Sequence, residues 1–434
     1  MVASTTTEPQ PGTGPQDTGP GQGARLKALR VLLCAEVLSM TGSQLSAVAL
    51  PWFILETTGS PAFMSRVMAA QMVAVVVFGV MGAALAGRLG PRRVMLISDT
   101  ARGPLVALVP VLHHWGLLPM PLFMAILFAV GAFFAPYVAS QQAVLPALVG
   151  DDETMLSTAN ARLQGATRLT ILLGPPLAGL LIAGLGAPVV LFLDAVSYLA
   201  AALLVRWGLP GHLVTRRQPD RGRLRDSLRV LVKNRMLTFW SLAQALGEMG
   251  WQAMFALIPV FALLRYDGSS ALAGTLLGAF GGGALAGTLL VKPALRRVSS
   301  MRLAVVGRVG QGLLFLALLL PLNALGLAAF LCAVGLLNGI SNAPMIAVRT
   351  TLIPERLRSM TLTVIAAFAL SGGSLGLAVS GTAVESLGLS RTFTVLVVLQ
   401  ACGTLLFLLG LTAAPRTTRS GDRAGGQEQQ AVSG

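Results

Sequence analysis

Two carboxylates stand out for where they sit. Glu36 and Glu248 each lie deep inside a long apolar run. A charge at bilayer depth costs at least ~2.5–3.5 kcal/mol, so each needs a partner, a proton or a water-filled path. Glu36 and Glu248 are therefore the leading candidates for binding a proton or cation. Arg168 and Arg308 also fall within apolar runs and are candidates to neutralise these acids or to contact an anionic substrate. Asp194, toward the outer part of its run, is a weaker candidate. Asp99 and Arg102 are three residues apart, which places them on one helical face within pairing distance.

Other chemistries lack their residues. There is no Gly-x4-Gly-Lys-Ser/Thr phosphate loop, and the three lysines stand in other contexts, so ATP hydrolysis is not expected. The cysteines Cys34, Cys332 and Cys402 show neither disulfide nor metal spacing. His113-His114, in a short outer loop, is a weak metal candidate. No enzyme, cofactor or metal site is expected.

The elements that position these residues follow from composition. Of 434 residues, 54% are hydrophobic and 11% charged, against roughly 25% charged in soluble domains, and the mean hydropathy is +0.74. A soluble chain could not hide so much apolar surface; a chain dissolved in lipid need not. About 20 apolar residues cross the hydrocarbon as a helix. Such runs lie near 29–55, 62–86, 93–115, 120–143, 160–184 and 187–206, then near 236–264, 270–292, 301–321, 324–347, 360–386 and 391–412. The fold class expected is an all-α membrane protein with twelve spans in two six-helix halves, 25–206 and 236–412. Between them, 207–235 is a cytoplasmic loop in which Leu224, Leu228, Leu231 and Val232 fit a short basic amphipathic helix on the inner leaflet, with a solvated basic linker as the alternative. The tails 1–24 and 413–434 read as disordered.

Charge placement gives the orientation. The chain has 32 Lys+Arg against 17 Asp+Glu, and the excess falls in alternate loops. Arg88, Arg92 and Arg93, the central loop, Lys292, Arg296 and Arg297, and Arg349, Arg356 and Arg358 form one group. Arg66, Arg265 and Arg391 form the sparse other group. Cytoplasmic loops carry the basic excess, so both termini are expected inside. This is a topology pattern, not a nucleic-acid surface.

The halves echo each other. Gly82-Ala83-Ala84-Leu85-Ala86-Gly87 in the second run matches Gly282-Gly283-Ala284-Leu285-Ala286-Gly287 in the eighth, each followed by an Arg-Arg pair. Leu145-Pro146 and Ile353-Pro354 follow the fourth and tenth runs. Repeated halves with a midplane site between them are a known transporter design.

These features resemble the major facilitator superfamily. The stretch Ala83 to Arg93 is similar to its signature between the second and third helices, with Arg88, Gly90 and Arg92 matching and Gly87 where the family has Asp. The set Leu50-Pro51-Trp52, Asp99-x-x-Arg102, Phe134-Ala135-Pro136 and Gly174-Pro175-Pro176-Leu177-Ala178-Gly179 resembles the drug:proton antiporter branch that includes macrolide efflux proteins and the enterobactin exporter. The resemblance implies a structural or gating role for Asp99 and Arg102. It ties Gly174, Pro175, Pro176 and Gly179 to the direction of transport; their residue types alone read as close helix packing.

The expectation is a proton-coupled exporter of a hydrophobic or amphiphilic small molecule, monomeric in a bacterial plasma membrane. Phe133, Phe134, Trp52, Trp251, Met254 and Phe255 are candidates for an apolar cavity, with core packing as the alternative. Gln44, Gln244, Gln252 and Asn342 leave room for an importer of a polar metabolite. A non-transporting sensor would need an external domain, and no loop is long enough to hold one.

Overall fold

The computed structural model describes residues 22–149, 153–210, 224–265 and 269–413. The tails expected at 1–24 and 413–434 and the stretch 211–223 of the central loop lie almost entirely outside these residues.

The first half contains α1 (Gln22–Thr58), α2 (Pro61–Leu89), α3 (Pro91–His114), α4 (Met120–Val149), α5 (Glu153–Leu185) and α6 (Ala187–Gly208). A ten-residue helix, α7 (Leu224–Lys233), precedes the second half. That half contains α8 (Arg235–Arg265), α9 (Ser270–Leu295), α10 (Ser300–Phe315), α11 (Ala324–Thr351), α12 (Arg358–Leu387) and α13 (Leu389–Thr412). Twelve of these helices are long and apolar enough to cross a membrane. Lipid offers no partner to a backbone amide, so helix is the form that satisfies each segment internally. The ninth span is shorter than the apolar run suggests: α10 stops at Phe315 and a 3-10 turn, Leu316–Leu319, completes it.

Turns are tight and placed by residue type. Ser269, Ser299 and Asn323 cap α9, α10 and α11 by accepting from the amides of Leu272, Arg302 and Gly326. A single glycine reverses the chain between α5 and α6 and again between α12 and α13. Gly186 has φ 83° and Gly388 φ 80°, a region where other residues are strained.

The halves repeat one packing scheme. Contacts of α1 with α5 and α6, of α2 with α4 and of α3 with α4 recur as α8 with α12 and α13, α9 with α11 and α10 with α11. Between halves, α2 packs on α12 and α5 packs on α9.

The cores divide unevenly. At the end where α1 finishes (the far end), one apolar cluster joins both halves, including Leu50, Phe53 and Leu191 from the first and Leu257, Phe261 and Leu331 from the second. At the opposite, Arg-rich end (the basic end) the clusters are separate. Leu32, Leu145 and Val205 belong to the first half, and Met236, Trp240 and Phe407 to the second. Val230 and Leu231 of α7 pack on a further cluster of the second half built on Leu237, Ile353 and Leu357.

Candidate functional site

A cavity of about 480 Å³ lies between the halves. Met64, Met68 and Met72 of α2, Phe134 of α4, and Phe255 and Phe280 of α8 and α9 give it a mainly apolar wall. Gln44 of α1, Gln71 of α2 and Gln252 of α8 add neutral polar groups, while Arg102 of α3 and Asp194 of α6 add charge.

Arg102 organises the first half. It sits 3.7 Å from Asp99 and donates to the Tyr198 hydroxyl. Its guanidinium also lies 4.0 Å from the Tyr198 ring centroid and 5.0 Å from that of Phe134, within cation–π range. Tyr198 is 2.9 Å from Ser43 Oγ. Asp194 accepts from Ser46 Oγ and, at 3.4 Å, from Ser197 Oγ. Asp99 is 1% exposed, and neither carboxylate oxygen has a hydrogen-bond donor.

Glu36, one of the two leading candidates, lies on a helix that borders the cavity but does not itself line it. It is 1% exposed and accepts from Tyr137 Oη at 2.9 Å and Gln141 Nε2 at 2.5 Å. It lies two helical turns nearer the basic end than Ser43, and these α4 side chains close over it. Asp194, ranked as a weaker candidate from sequence, is the carboxylate on the large cavity.

The second half holds its own cavity, about 330 Å³, between α8, α10, α11 and α13. Glu248 lines it and accepts from Gln252 Nε2 at 3.0 Å. Arg308 lines it too, donating to the Ala243 carbonyl at 2.8 Å. Arg349, grouped with the loop charges from sequence, is instead 6% exposed within α11 and donates to Gln244 Oε1. An aromatic partition separates the two cavities. Trp251 stands 4.7 Å from Phe255 and 4.6 Å from Phe280 on one side and 6.2 Å from Phe315 on the other. Arg168 is half-buried on α5 and lines neither cavity.

The remaining motif residues lie at helix ends and at the joint between halves. Arg88 is exposed at the end of α2. Gly90 turns the chain into α3 with φ 84°, and Arg92 donates to the Arg206 carbonyl at 2.7 Å, tying α3 to the end of α6. Pro175, Pro176 and Gly179 face Gly274 and Gly278 of α9, and Gly174 abuts Gln44 of α1. Ser270 Oγ donates to the Gly179 carbonyl at 3.1 Å across the joint. His113 packs edge-on against Phe53.

Several functional contacts escaped sequence reasoning. The chain has three tyrosines, and two of them, Tyr137 and Tyr198, touch the buried charges. That scarcity was the available signal. Glu385, at the end of α12, accepts from Ser60 Oγ at 2.7 Å and the Ala62 amide at 3.0 Å, capping α2 across the halves. Nothing in the sequence marks that pairing.

The sequence model of the Major Facilitator Superfamily matches residues 32–377. The multidrug efflux pump Tap of Mycobacterium tuberculosis (strain ATCC 25618 / H37Rv) is 28% identical over 392 residues, covering 86% of this chain and 90% of that protein. The pump of the same name from Mycolicibacterium fortuitum is 28% identical over 388 residues, covering 85% and 92%. Among solved structures, the nucleoside transporter NupG superposes with TM-score 0.70 at 15% identity, covering 90% of this chain and 99% of that one. A bacterial homolog of the human lysosomal transporter Spinster, inward-facing and unoccupied, superposes with TM-score 0.72 at 13% identity, covering 91% and 98%. At these identities the solved structures establish a common fold.

Proposed function

The chain belongs to the Major Facilitator Superfamily, a family of transporters rather than enzymes, and on that footing we propose that it exports apolar or amphiphilic small molecules in exchange for protons. The observation that carries this reading is the wall of the 480 Å³ cavity, in which three methionines and three phenylalanines face a few polar groups. Methionine is unbranched and polarisable and adapts to irregular ligands, so such a wall tolerates varied apolar shapes. The relatives named as multidrug efflux pumps support the direction.

The charge balance of the first half supports proton coupling. Glu36, Asp99 and Asp194 are buried around one guanidinium, Arg102. Three buried carboxylates with one cation are costly unless protons make up the difference. Asp194 meets the cavity directly, Glu36 and Asp99 lie behind it, and Glu248 offers a further site across the molecule. Asp99 and Arg102 hold the cavity wall through Tyr198, a positioning role consistent with gating.

Cytoplasmic loops carry the basic excess, which supports reading the Arg-rich end as cytoplasmic and this arrangement as inward-facing. The halves would rock about the site, parting at the far end and closing at the basic end. The protein works as a monomer in a bacterial plasma membrane under this reading.

Transport into proteoliposomes tests it. A lipophilic fluorescent dye should move against its gradient when a pH gradient is imposed and equilibrate when the gradient is collapsed. Equal transport in both conditions would refute proton coupling, and no dye transport with saturable movement of a polar metabolite would favour import. Gln44, Gln71 and Gln252 on the cavity are the observation behind that second reading.

A further inference from the structure

The two halves repeat their packing but not their charges. Glu36 of α1 and Gln244 of α8 each stand fifteen residues before a proline, Pro51 and Pro259. Gln141 of α4 and Arg349 of α11 each stand five residues before a proline, Pro146 and Pro354. In the first half, a carboxylate on the first helix meets an amide on the fourth. In the second half, an amide on the corresponding helix meets a guanidinium. Arg102 and Arg308 lie on the matching helices α3 and α10. Three residues before Arg102 stands Asp99, whereas three residues before Arg308 stands Val305.

The space differs as well. Tyr137 and Tyr198 fill the interior of the first half around Arg102. Tyr198 is twelve residues beyond the turn glycine Gly186, and the residue twelve beyond Gly388 is Gln400. Tyr137 stands nine residues before Pro146, and the residue nine before Pro354 is Met345. Both replacements line the 330 Å³ cavity. Its charges are two guanidinium groups and one carboxylate, Glu248. The acceptors around the arginines are neutral: the Ala243 carbonyl, the Trp240 carbonyl at 3.4 Å and Gln244 Oε1. Arg349 Nε is buried with no partner. Gly247 and Gly403 leave the slot that admits the Arg308 guanidinium, since a Cβ at either position would press on it.

We infer that this cavity is a binding site for an organic carboxylate, distinct from the transport cavity, with Trp251 and the Gln252–Glu248 bond standing between the two. A buried positive excess calls for an anion. The guanidinium fork matches a carboxylate. The aromatic walls, Trp240 stacked on Phe407 with centroids 4.8 Å apart and Trp251 beside Phe315, suit a planar body. At about 30 Å³ per water the cavity has room for roughly ten waters, more than a single-ring acid requires. The site belongs to the second half alone and does not depend on the direction or coupling of transport.

Calorimetric titration of the purified full-length protein in lipid nanodiscs tests this, with benzoate, benzamide and benzylamine as probes. Benzoate should bind saturably, and benzamide and benzylamine at least tenfold more weakly. Arg349→Gln should weaken benzoate at least tenfold. Val305→Asp supplies the second half with the carboxylate that Asp99 gives the first, and should abolish benzoate binding while Arg308 and Arg349 remain in place. Equal affinity for benzoate and benzamide, no saturable benzoate binding, or benzoate binding unchanged in folded Val305→Asp overturns the inference. The comparison of probes needs no variant and so survives a failure of either to fold.

Discussion

Replacing Gly179 by alanine should open the far end of the molecule. A Cβ on Gly179 would lie 2.6 Å from the Ser270 carbonyl oxygen, 3.0 Å from Ala271 Cα and 3.2 Å from Gly274 Cα. All three are backbone atoms of α9, so no side chain can swing aside; the helices themselves must separate. The bond from Ser270 Oγ to the Gly179 carbonyl, 3.1 Å, would lengthen with them. Overpacking of this kind costs about 1–3 kcal/mol. The cost falls on the state in which α5 and α9 are apposed and is absent once the far end parts. A differential of that size moves a two-state equilibrium about 5- to 150-fold. Spin labels at Trp115→Cys and Leu320→Cys, both exposed at the far end, would read the change by pulsed electron resonance once Cys34, Cys332 and Cys402 are replaced. The wild type should give one short distance, and Gly179→Ala a second, longer population. Gly184→Ala is the control, because a Cβ there meets nothing within 4 Å. A folded Gly179→Ala protein with the wild-type distance, or the same shift in Gly184→Ala, would refute the reasoning.

Glu385→Gln weakens the cap on α2; because Glu385 is exposed, screening holds the loss to under about 1 kcal/mol, and the same labels should show a far-end opening smaller than that of Gly179→Ala. Tyr137→Phe removes a donor from buried Glu36 and should lower stability by about 1–3 kcal/mol, read as an earlier thermal unfolding midpoint in detergent; an unchanged midpoint would show that Glu36 does not rely on this bond. Glu248→Gln should strongly reduce pH-driven dye flux in proteoliposomes if Glu248 takes part in coupling, and undiminished flux would clear it of that role.

The spans were legible because burial in lipid is a collective property: some twenty apolar residues in a row carry it, and no single contact decides it. Individual side chains were not legible to the same depth. Glu36 was recognisable as a buried acid, but whether it met the cavity depended on Tyr137 and Gln141, a hundred residues away. Arg349 stands two residues from the last helical residue of its span, where sequence alone reads a loop charge; only its bonds to Gln244 and the Trp240 carbonyl of α8 show it turned inward. Asp194 looked peripheral because its depth was judged along α6, while its burial comes from Ser46 on α1. The bridge from Glu385 to Ser60 joins segments with no common pattern, so the sequence held no trace of it. The Gly-Pro-Pro element was readable as a packing surface, though its partner on α9 was not.

Trp251 makes the molecule an optical instrument. Its indole touches rings that border both chambers, Phe255 and Phe280 on one side and Phe315 on the other, so its emission shifts when either chamber fills or drains. Of the other four tryptophans, Trp52 is buried in a packed core, Trp240 lines the smaller chamber stacked on Phe407, and Trp115 and Trp207 face outward. With those four replaced by phenylalanine, one chromophore at the partition would report occupancy of both chambers in real time.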